Sequence, residues 1–429
     1  MKLAFLANPS VGHTNFLISL AIRAQKSGIN VLFLFPGIKN CFLKKVIDNP
    51  IFIIIDKLKT NNIPTRIIPI SPHQCLLAGL LEHKRGLAEV LFALKVFAAG
   101  AKQYTQYLLK EFEKDRPDAI IYDYTFFSAV AVSERLNLPR IAIYHSGLPF
   151  PEYPIPLLGI NFKYGEIDAK EFGGYCDYLT KLDNETKAKY EKVIGQKIRT
   201  DLLLTPNSDL LNIITTVKEA EYPRKTLPKT VEFTGPSMIG RLCDNARPFF
   251  DKQNKRLIYI SLGTVFNKQP DLFVRIIEGI NLPDTEILVA AGSSYRRLRK
   301  YNFSENVHLE KFVPQLEALK IADVFITHGG RNSINEALQF GVPMILFPVG
   351  GEQEYNASLV EYLNAGINFS QIKDSFSSNR LNSVLSFLMD DLTIRSSLKN
   401  IAAKYPKVDG AEKALSLITQ LFHQGAQVG

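Results

Sequence analysis

The stretch FVPQLEALKIADVFITHGGRNSINEALQFGVPMILFPVGGEQEYNA, from Phe312 to Ala357, decides how this chain is read. Within it, Val324–Thr327 (VFIT) has the length and β-branched content of a buried strand, and the strand ends at His328. A turn through Gly329 and Gly330 follows, then a helical pattern over Asn332–Phe340 that Gly341 stops. Met344–Phe347 (MILF) is the next buried strand. Glycines at a strand-to-helix turn let a ligand approach the backbone, and the first helical turn offers free amides and the positive end of a dipole. A diphosphate suits that place, with His328 as one more donor beside it. A simpler account is also open. Ser333-Ile334-Asn335-Glu336 has the spacing of a capping box, in which Glu336 merely satisfies the helix start.

The same alternation extends outward in both directions. Leu257–Ile260 (LIYI), Glu286–Ala291 (EILVAA) and Val307–Leu309 read as strands, with a helix over Leu272–Ile280. At the start of the chain, Leu3–Ala7 and Val31–Phe35 are strands, and the helix between them sets Leu17, Leu20, Ala21 and Ala24 on one face. Asp118–Tyr122 (DAIIY) and Arg140–Tyr144 (RIAIY) are further strands flanking a helix at Ser128–Leu136. Continuous apolar strands alternating with helices predict parallel sheets covered on both faces. With 429 residues, two domains of roughly 200 residues each are expected. The fold expected is therefore α/β, two doubly wound Rossmann-like domains facing a cleft, with ligands at the carboxyl ends of the strands. The boundaries expected are 1–235 for the first domain, 236–255 for a linker and 256–405 for the second, with a C-terminal helical segment over 406–429. The stretch from Gly147 to about Gly174, rich in Pro, Gly and Tyr, reads as a long functional loop.

Composition narrows the class. Apolar residues make up 46% and charged residues 22%, the balance of a globular protein. The formal charge of +9 suits an anionic partner, yet no nucleic-acid motif is present, and the basic run Arg296–Lys300 reads as a solvated helix face. Cys41, Cys75, Cys176 and Cys243 form no CxxC pair and no metal-type spacing with histidine, which points to a reducing cytoplasm and no structural zinc. The most apolar window, Gly86–Gly100, is broken by Glu89 and Lys95, so no spanning helix is expected, although peripheral membrane contact stays open. No GxSxG, HExxH or GxxxxGK[ST] element occurs, and no GxGxxG follows the first strand.

The Phe312–Ala357 stretch resembles the nucleotide-sugar signature of the UDP-glycosyltransferase superfamily (glycosyltransferase family 1, GT-B fold), in its bacterial, macrolide-transferase-like version. The resemblance is carried by Pro314-Gln315, His328, Gly330, Asn332, Ser333, Glu336, Gly341-Val342-Pro343, Pro348, Gln353 and Asn356-Ala357. It implies that Phe312, followed by Val313, stacks on the base with Gln315 beside it, and that Glu336 binds the ribose. It places the phosphates on His328, Gly329, Gly330, Asn332 and Ser333, and the sugar on Glu352 and Gln353. Ser261-Leu262-Gly263-Thr264 resembles a second family element, in which Ser261, Gly263 and Thr264 face the diphosphate. Three departures stand out: Phe312 where many members have Trp, Arg331 in place of the plant-type Trp, and Glu352 where Asp is usual. The nucleotide is left open between UDP and dTDP, and glucose is the sugar favoured. No cofactor or metal is implied, because amides and a helix dipole supply the neutralisation.

Inverting transfer needs a base for the acceptor hydroxyl, a contribution of about 10²–10⁴-fold in rate. The resemblance implies His13, in Asn8-Pro9-Ser10-Val11-Gly12-His13, with Gly12 at the donor, although Phe16 stands at the usual proline position. Asp123, closing the strand after Asp118, matches the family's activating aspartate. A helix N-terminus favours neutral imidazole and a carboxylate favours the cation, so the two act against each other on His13. A structural His13 and a helix-capping Asp123 are the plainer readings. His145 is a competing histidine; it or Ser146 faces the sugar. His73, His83, His308 and His423 read as surface.

The acceptor stretches implied are Leu76–Gly100 and Leu148–Tyr178, dense in Leu, Phe, Tyr and Pro, which suit a hydrophobic small-molecule acceptor. The stripe in Leu80–Phe97 equally suits packing on its own domain. The helix Ala411–Phe422 is implied to cross back onto the first domain, and a monomer or weak dimer is expected. Two other functions share the sequence features: a non-catalytic nucleotide-sugar-binding activator, and an epimerase of the nucleotide sugar.

Overall fold

The computed structural model describes residues 1–37, 50–70, 86–148, 151–157, 163–203, 208–238, 250–263, 269–350, 352–370 and 375–425. Seven strands form the first sheet: β1 (Lys2–Leu6), β2 (Asn30–Gly37), β3 (Thr65–Pro69), β4 (Ala119–Asp123), β5 (Arg140–Tyr144), β6 (Leu211–Ile214) and β7 (Val231–Phe233). Their order is β3-β2-β1-β4-β5-β6-β7. Six strands form the second: β8 (Arg256–Ser261), β9 (Thr285–Ala290), β10 (Val307–Glu310), β11 (Val324–Thr327), β12 (Met344–Leu346) and β13 (Gly366–Asn368), in the order β10-β9-β8-β11-β12-β13. Every neighbouring pair is parallel. In each sheet the order reverses once, between β1 and β4 and between β8 and β11. At such a point the connections leave in opposite directions and open a crevice at the carboxyl ends.

The strands are apolar throughout because helices cover both faces. Leu3, Phe5, Phe33 and Ile121 are fully buried against the helix Val11–Lys26, whose Leu17, Leu20, Ala21 and Ala24 point into the same core. The doubly wound pair of domains expected from the alternation is what the chain forms. Four strands carried no clear pattern. β3 is an edge strand with Arg66 exposed, and β13 is three residues long and opens on a glycine. β6 buries Asn212, whose carboxamide donates to Ser208 O and Thr230 Oγ1 and accepts from Ser208 N. β7, Val231–Phe233, is a short edge strand of partly buried residues. The long loop read from Gly147 to Gly174 ends earlier than that. A helix runs over Ala169–Ile194, started by Asp168, whose Oδ1 accepts from Lys170 N and Glu171 N, and stopped by Gly195 in the left-handed region.

The last helix, Gly410–Gly425, lies against the first domain. Ala411, Ala414, Leu415 and Ile418 join the core of Phe5, Leu17 and Phe33. Arg23 pairs with Glu412 at 2.9 Å, and Lys413 Nζ donates to Phe233 O. The segment entering this helix runs beside the segment leaving β7. Gly410 N donates to Pro236 O, while Ser237 Oγ and Met238 N both donate to Asp409. Gly410 is required there, because a Cβ would stand 2.1 Å from Gly235 O. Residues 239–249 of the expected linker lie outside the described residues. Among the described residues no helix is long and apolar enough to cross a membrane.

Ile418 has no exposure to solvent. Ile418→Ala should cost about 2–5 kcal/mol, read as a lowered denaturant midpoint for the first domain.

Candidate active site

The first half of the site grows from the reversal between β1 and β4. β1 hands over through Asn8-Pro9-Ser10 to the helix Val11–Lys26, which sets His13 in its first turn above the carboxyl end of the sheet. β4 ends beside it on Asp123. His13 Nδ1 and Asp123 Oδ2 are 2.7 Å apart, with Asp123 fully buried. Oδ1 of Asp123 accepts from Thr125 N at 3.0 Å and Thr125 Oγ1 at 2.9 Å, and that hydroxyl in turn accepts from Asn8 Nδ2. Burial opposes the carboxylate charge, but His13, His145 and these hydrogen bonds outweigh it and hold the group down at about 2. For His13, burial opposes the cation, and the charge and hydrogen bond of Asp123, with Glu352 behind them, win. Its pKa lies above the ordinary 6.5. Of the two effects weighed on His13 from the sequence, the carboxylate prevails.

His145 follows β5 and is 5% exposed. Among the described residues neither of its ring nitrogens has a hydrogen-bond partner, and Nδ1 stands 3.7 Å from Asp123 Oδ1. Its ring centroid lies 3.8 Å from that of His13, the planes tilted by 47°. Burial, and then the charge of His13, push its pKa down to about 3 against the pull of Asp123, so this imidazole is neutral at any working pH. Ligand atoms of His13, Asp123 and His145 all lie within 4.8 Å of one another. Their hydrogen bonding is that of an acid–base pair, since both oxygens of Asp123 are already engaged by His13 and Thr125.

The second half is built on the turn after β11. Gly329 and Gly263 adopt φ of +88° and +86°, where only glycine is comfortable. The glycines also make room for His328. A Cβ at Gly263 would stand 2.6 Å from its Nε2, and one at Gly330 2.8 Å. The turn therefore seats an imidazole as well as freeing backbone. Burial lowers the pKa of His328 to about 4, so the ring offers a single donor. Asn356 Nδ2 holds Gly329 O at 2.9 Å.

The helix that follows, Arg331–Phe340, has Gly330 at its N-cap and no side-chain cap. The capping box is not formed: Ser333 lies inside the first turn, too late to cap. Instead Ser333 Oγ and Glu336 Oε2 both accept from Gln315 Nε2, at 3.1 and 2.7 Å. Gln315, Ser333 and Glu336 thus form one polar group reaching back to the loop after β10, where Val313 is buried and Phe312 is 79% exposed. Ser261, closing β8, is partly buried. Thr264 lies outside the described residues. Gln353 turns inward, 5% exposed, and its Oε1 accepts Val349 N at 2.8 Å. Glu352 stands near the amide end of the helix, where the charges of His13 and Arg331 and the neighbouring Ser146 favour its ionised form. Burial nonetheless raises its pKa above the ordinary carboxylate value. Asn332 Nδ2 donates to Gly12 O at 3.3 Å, so the two halves touch where the donor residues and His13 were expected to meet.

Comparison with known proteins identifies the family. The profile of the family described as UDP-glucoronosyl and UDP-glucosyl transferase matches residues 175–403, over half of the chain. The chain belongs to this family. An uncharacterized UDP-glucosyltransferase of Bacillus subtilis is 26% identical over 346 residues, covering 81% of this chain and 82% of that protein. The oleandomycin glycosyltransferase of Streptomyces antibioticus is 22% identical over 327 residues, 76% of this chain and 73% of the relative. The crystal structure of the kitacinnamycin glycotransferase superposes with a TM-score of 0.74 at 20% identity, covering 98% of each chain, and shows the same fold. The protein is a nucleotide-sugar-dependent glycosyltransferase of the macrolide-transferase-like kind.

Several contacts that bind the two domains of this glycosyltransferase were not legible in its sequence. Arg331 is 3% exposed; its Nη2 lies 2.5 Å from Glu221 Oε1 and donates to Ala220 O, and Glu221 Oε2 accepts from Tyr355. Asn335 accepts from Thr216 Oγ1 and donates to Thr215 O. Ile155, inside a stretch assigned to the acceptor, packs instead with Tyr222, Tyr355 and Leu359 in the seam between the domains. A charged residue in a helix's first turn was the available sign for Arg331, but its partner follows β6, a strand the pattern did not show.

Asp123→Asn removes the counter-charge and leaves burial to act on His13. The ring should then titrate below 6.5 instead of above it, followed by NMR of its ring protons. The linkage runs in two directions. His13 contributes stability fully present below 6.5 and lost as pH rises through its raised pKa. Asp123 contributes stability present above 3.8 and lost as pH falls toward 2. Thermal unfolding of the parent should therefore weaken at both ends of that window, whereas the Asn variant should lose the Asp123 dependence and reverse that of His13, losing stability as pH falls below 6.5.

Proposed function

We propose that this glycosyltransferase moves a hexose, glucose being favoured, from UDP or dTDP to a hydroxyl of a lipophilic small molecule, inverting the anomeric carbon. The observation that carries the reading is the His13–Asp123 pair at the β1/β4 reversal, facing the amide end of the helix Arg331–Phe340. In this reading the base stacks on Phe312, whose face is free in solvent, with Val313 and Gln315 beside it. Glu336, steadied by Gln315, takes the ribose hydroxyls. The diphosphate lies on the amides after Gly329 and Gly330, with His328, Asn332, Ser333, Ser261 and Gly263 around it. Amides and helix dipole meet its charge without a metal ion. Glu352 takes the sugar hydroxyls, and Gln353 braces the turn that carries it.

The acceptor oxygen forms its bond to the anomeric carbon as the bond to the diphosphate breaks, and its proton passes to His13 Nε2. Asp123 fixes the tautomer through Nδ1 and stabilises the imidazolium as it forms. Relatives named for oleandomycin and kitacinnamycin support a natural-product acceptor.

A panel of UDP- and dTDP-sugars, with nucleotide release followed with and without pooled hydrophobic alcohols and phenols, tests the reaction. Release that ignores the acceptor pool in every pairing would count against it. His13→Ala should cut transfer by about 10²–10⁴-fold while nucleotide affinity measured by calorimetry stays put. Transfer at parental rates in that variant would end the assignment of the base. Phe312→Ala should weaken nucleotide binding by about 5–100-fold, the range of one base–aromatic stack.

A further inference from the structure

We infer that His145 is a positioning residue whose ring, lying against His13, bears the positive charge that His13 acquires during transfer. The inference rests on the reading of His13 as the proton acceptor. It starts from a cost: a buried imidazole whose nitrogens find no hydrogen-bond partner among the described residues is less stable than a well-packed apolar side chain of similar size. An arrangement kept at such a cost in a reaction centre is expected to serve the reaction.

The geometry says what the ring supplies. The two ring centroids are 3.8 Å apart, well inside the roughly 6 Å over which a cation is drawn to an aromatic face. His145 also lies 5.4 Å from the ring of Tyr124, which stacks on Tyr144 at 4.7 Å, so the ring has aromatic neighbours beyond His13. A protonated His145 would repel an imidazolium; burial keeps it neutral. The groups facing His13 are then accounted for from every side. Asp123 and Thr125 come from the end of β4, His145 from the end of β5, and Glu352 from the second domain, itself faced by Arg331 and Ser146. Asp123 gives the counter-charge in the plane of the His13 ring. His145 gives a polarisable neighbour where water would otherwise solvate the cation.

During transfer the acceptor O–H bond breaks, its proton binds His13 Nε2, and the oxygen's electron pair forms the new glycosidic bond while the diphosphate leaves with the old one. His145 neither gains nor loses a proton in this sequence. Its effect is to make the imidazolium easier to form.

Two variants of the full chain separate this role from a structural one. His145→Phe keeps an aromatic neighbour and discards the nitrogens; His145→Leu keeps the volume and discards the aromatic ring. In the ligand-free protein, the labelled His13 ring should titrate about one pH unit lower in the Leu variant, a roughly tenfold easier loss of its proton, and within about twofold of the parent in the Phe variant. In transfer, kcat of the Leu variant should fall about tenfold with KM for the nucleotide sugar unchanged, and Phe should restore it to within about threefold. Both variants should melt no lower than the parent, because two unpaired nitrogens are gone; if Leu fails to fold, His145→Val takes its place. Equal titration of His13 in all three proteins would overturn the inference, as would a Phe variant that falls as far as Leu. The titration needs no substrate, so absence of transfer by the parent would count against the proposed function and leave this test standing.

Discussion

A carboxylate without contact to water holds the centre of this protein together. Asp123 keeps its charge in a fully buried position because three groups answer it: His13 on one oxygen, and the amide and hydroxyl of Thr125 on the other. None of these is optional for a buried ion, since an unanswered charge at that depth would neutralise itself by taking up a proton. The requirement fixes the path of the chain. Asn8 must reach Thr125, and the first helix must begin where His13 meets β4. Both conditions are met at one point, where β1 and β4 lie side by side.

The second domain answers the same problem in reverse. Its reversal between β8 and β11 leaves a helix whose first amides have no partner of their own from a capping side chain. Glu352 stands beside that helix start in the free protein, under the influence of Arg331, Ser146 and His13. The centre thus sets carboxylates against the first domain's histidine and the positive end of the second domain's helix.

The fold was largely legible because its strands are buried on both faces and read as unbroken apolar runs. The strand Val324–Thr327 and the helix Ser128–Leu136 fall where the pattern put them. What escaped was short, marginal or non-local. β13 has three residues, β3 is an edge, and β6 hides a buried Asn that only its tertiary partners make tolerable. The pairing of His13 with Asp123 came from family likeness; nothing in either residue's neighbours announces a bond between positions so far apart in the chain. Arg331 with Glu221, and Asn335 with Thr216, escaped for the same reason. The apparent capping box failed for a different one: the helix starts at Arg331, two residues ahead of Ser333, with Gly330 at its N-cap.

The polypeptide passes between the domains twice, and the two passages are bonded side by side through Gly235, Pro236, Ser237, Asp409 and Gly410. A single tether would leave the halves free to swivel as well as to part. Two tethers in contact act like the spine of a book: twisting one half against the other must shear their hydrogen bonds, whereas widening the crevice only bends both together. Rotation that shears the paired passages is thereby opposed more strongly than rotation that bends them together.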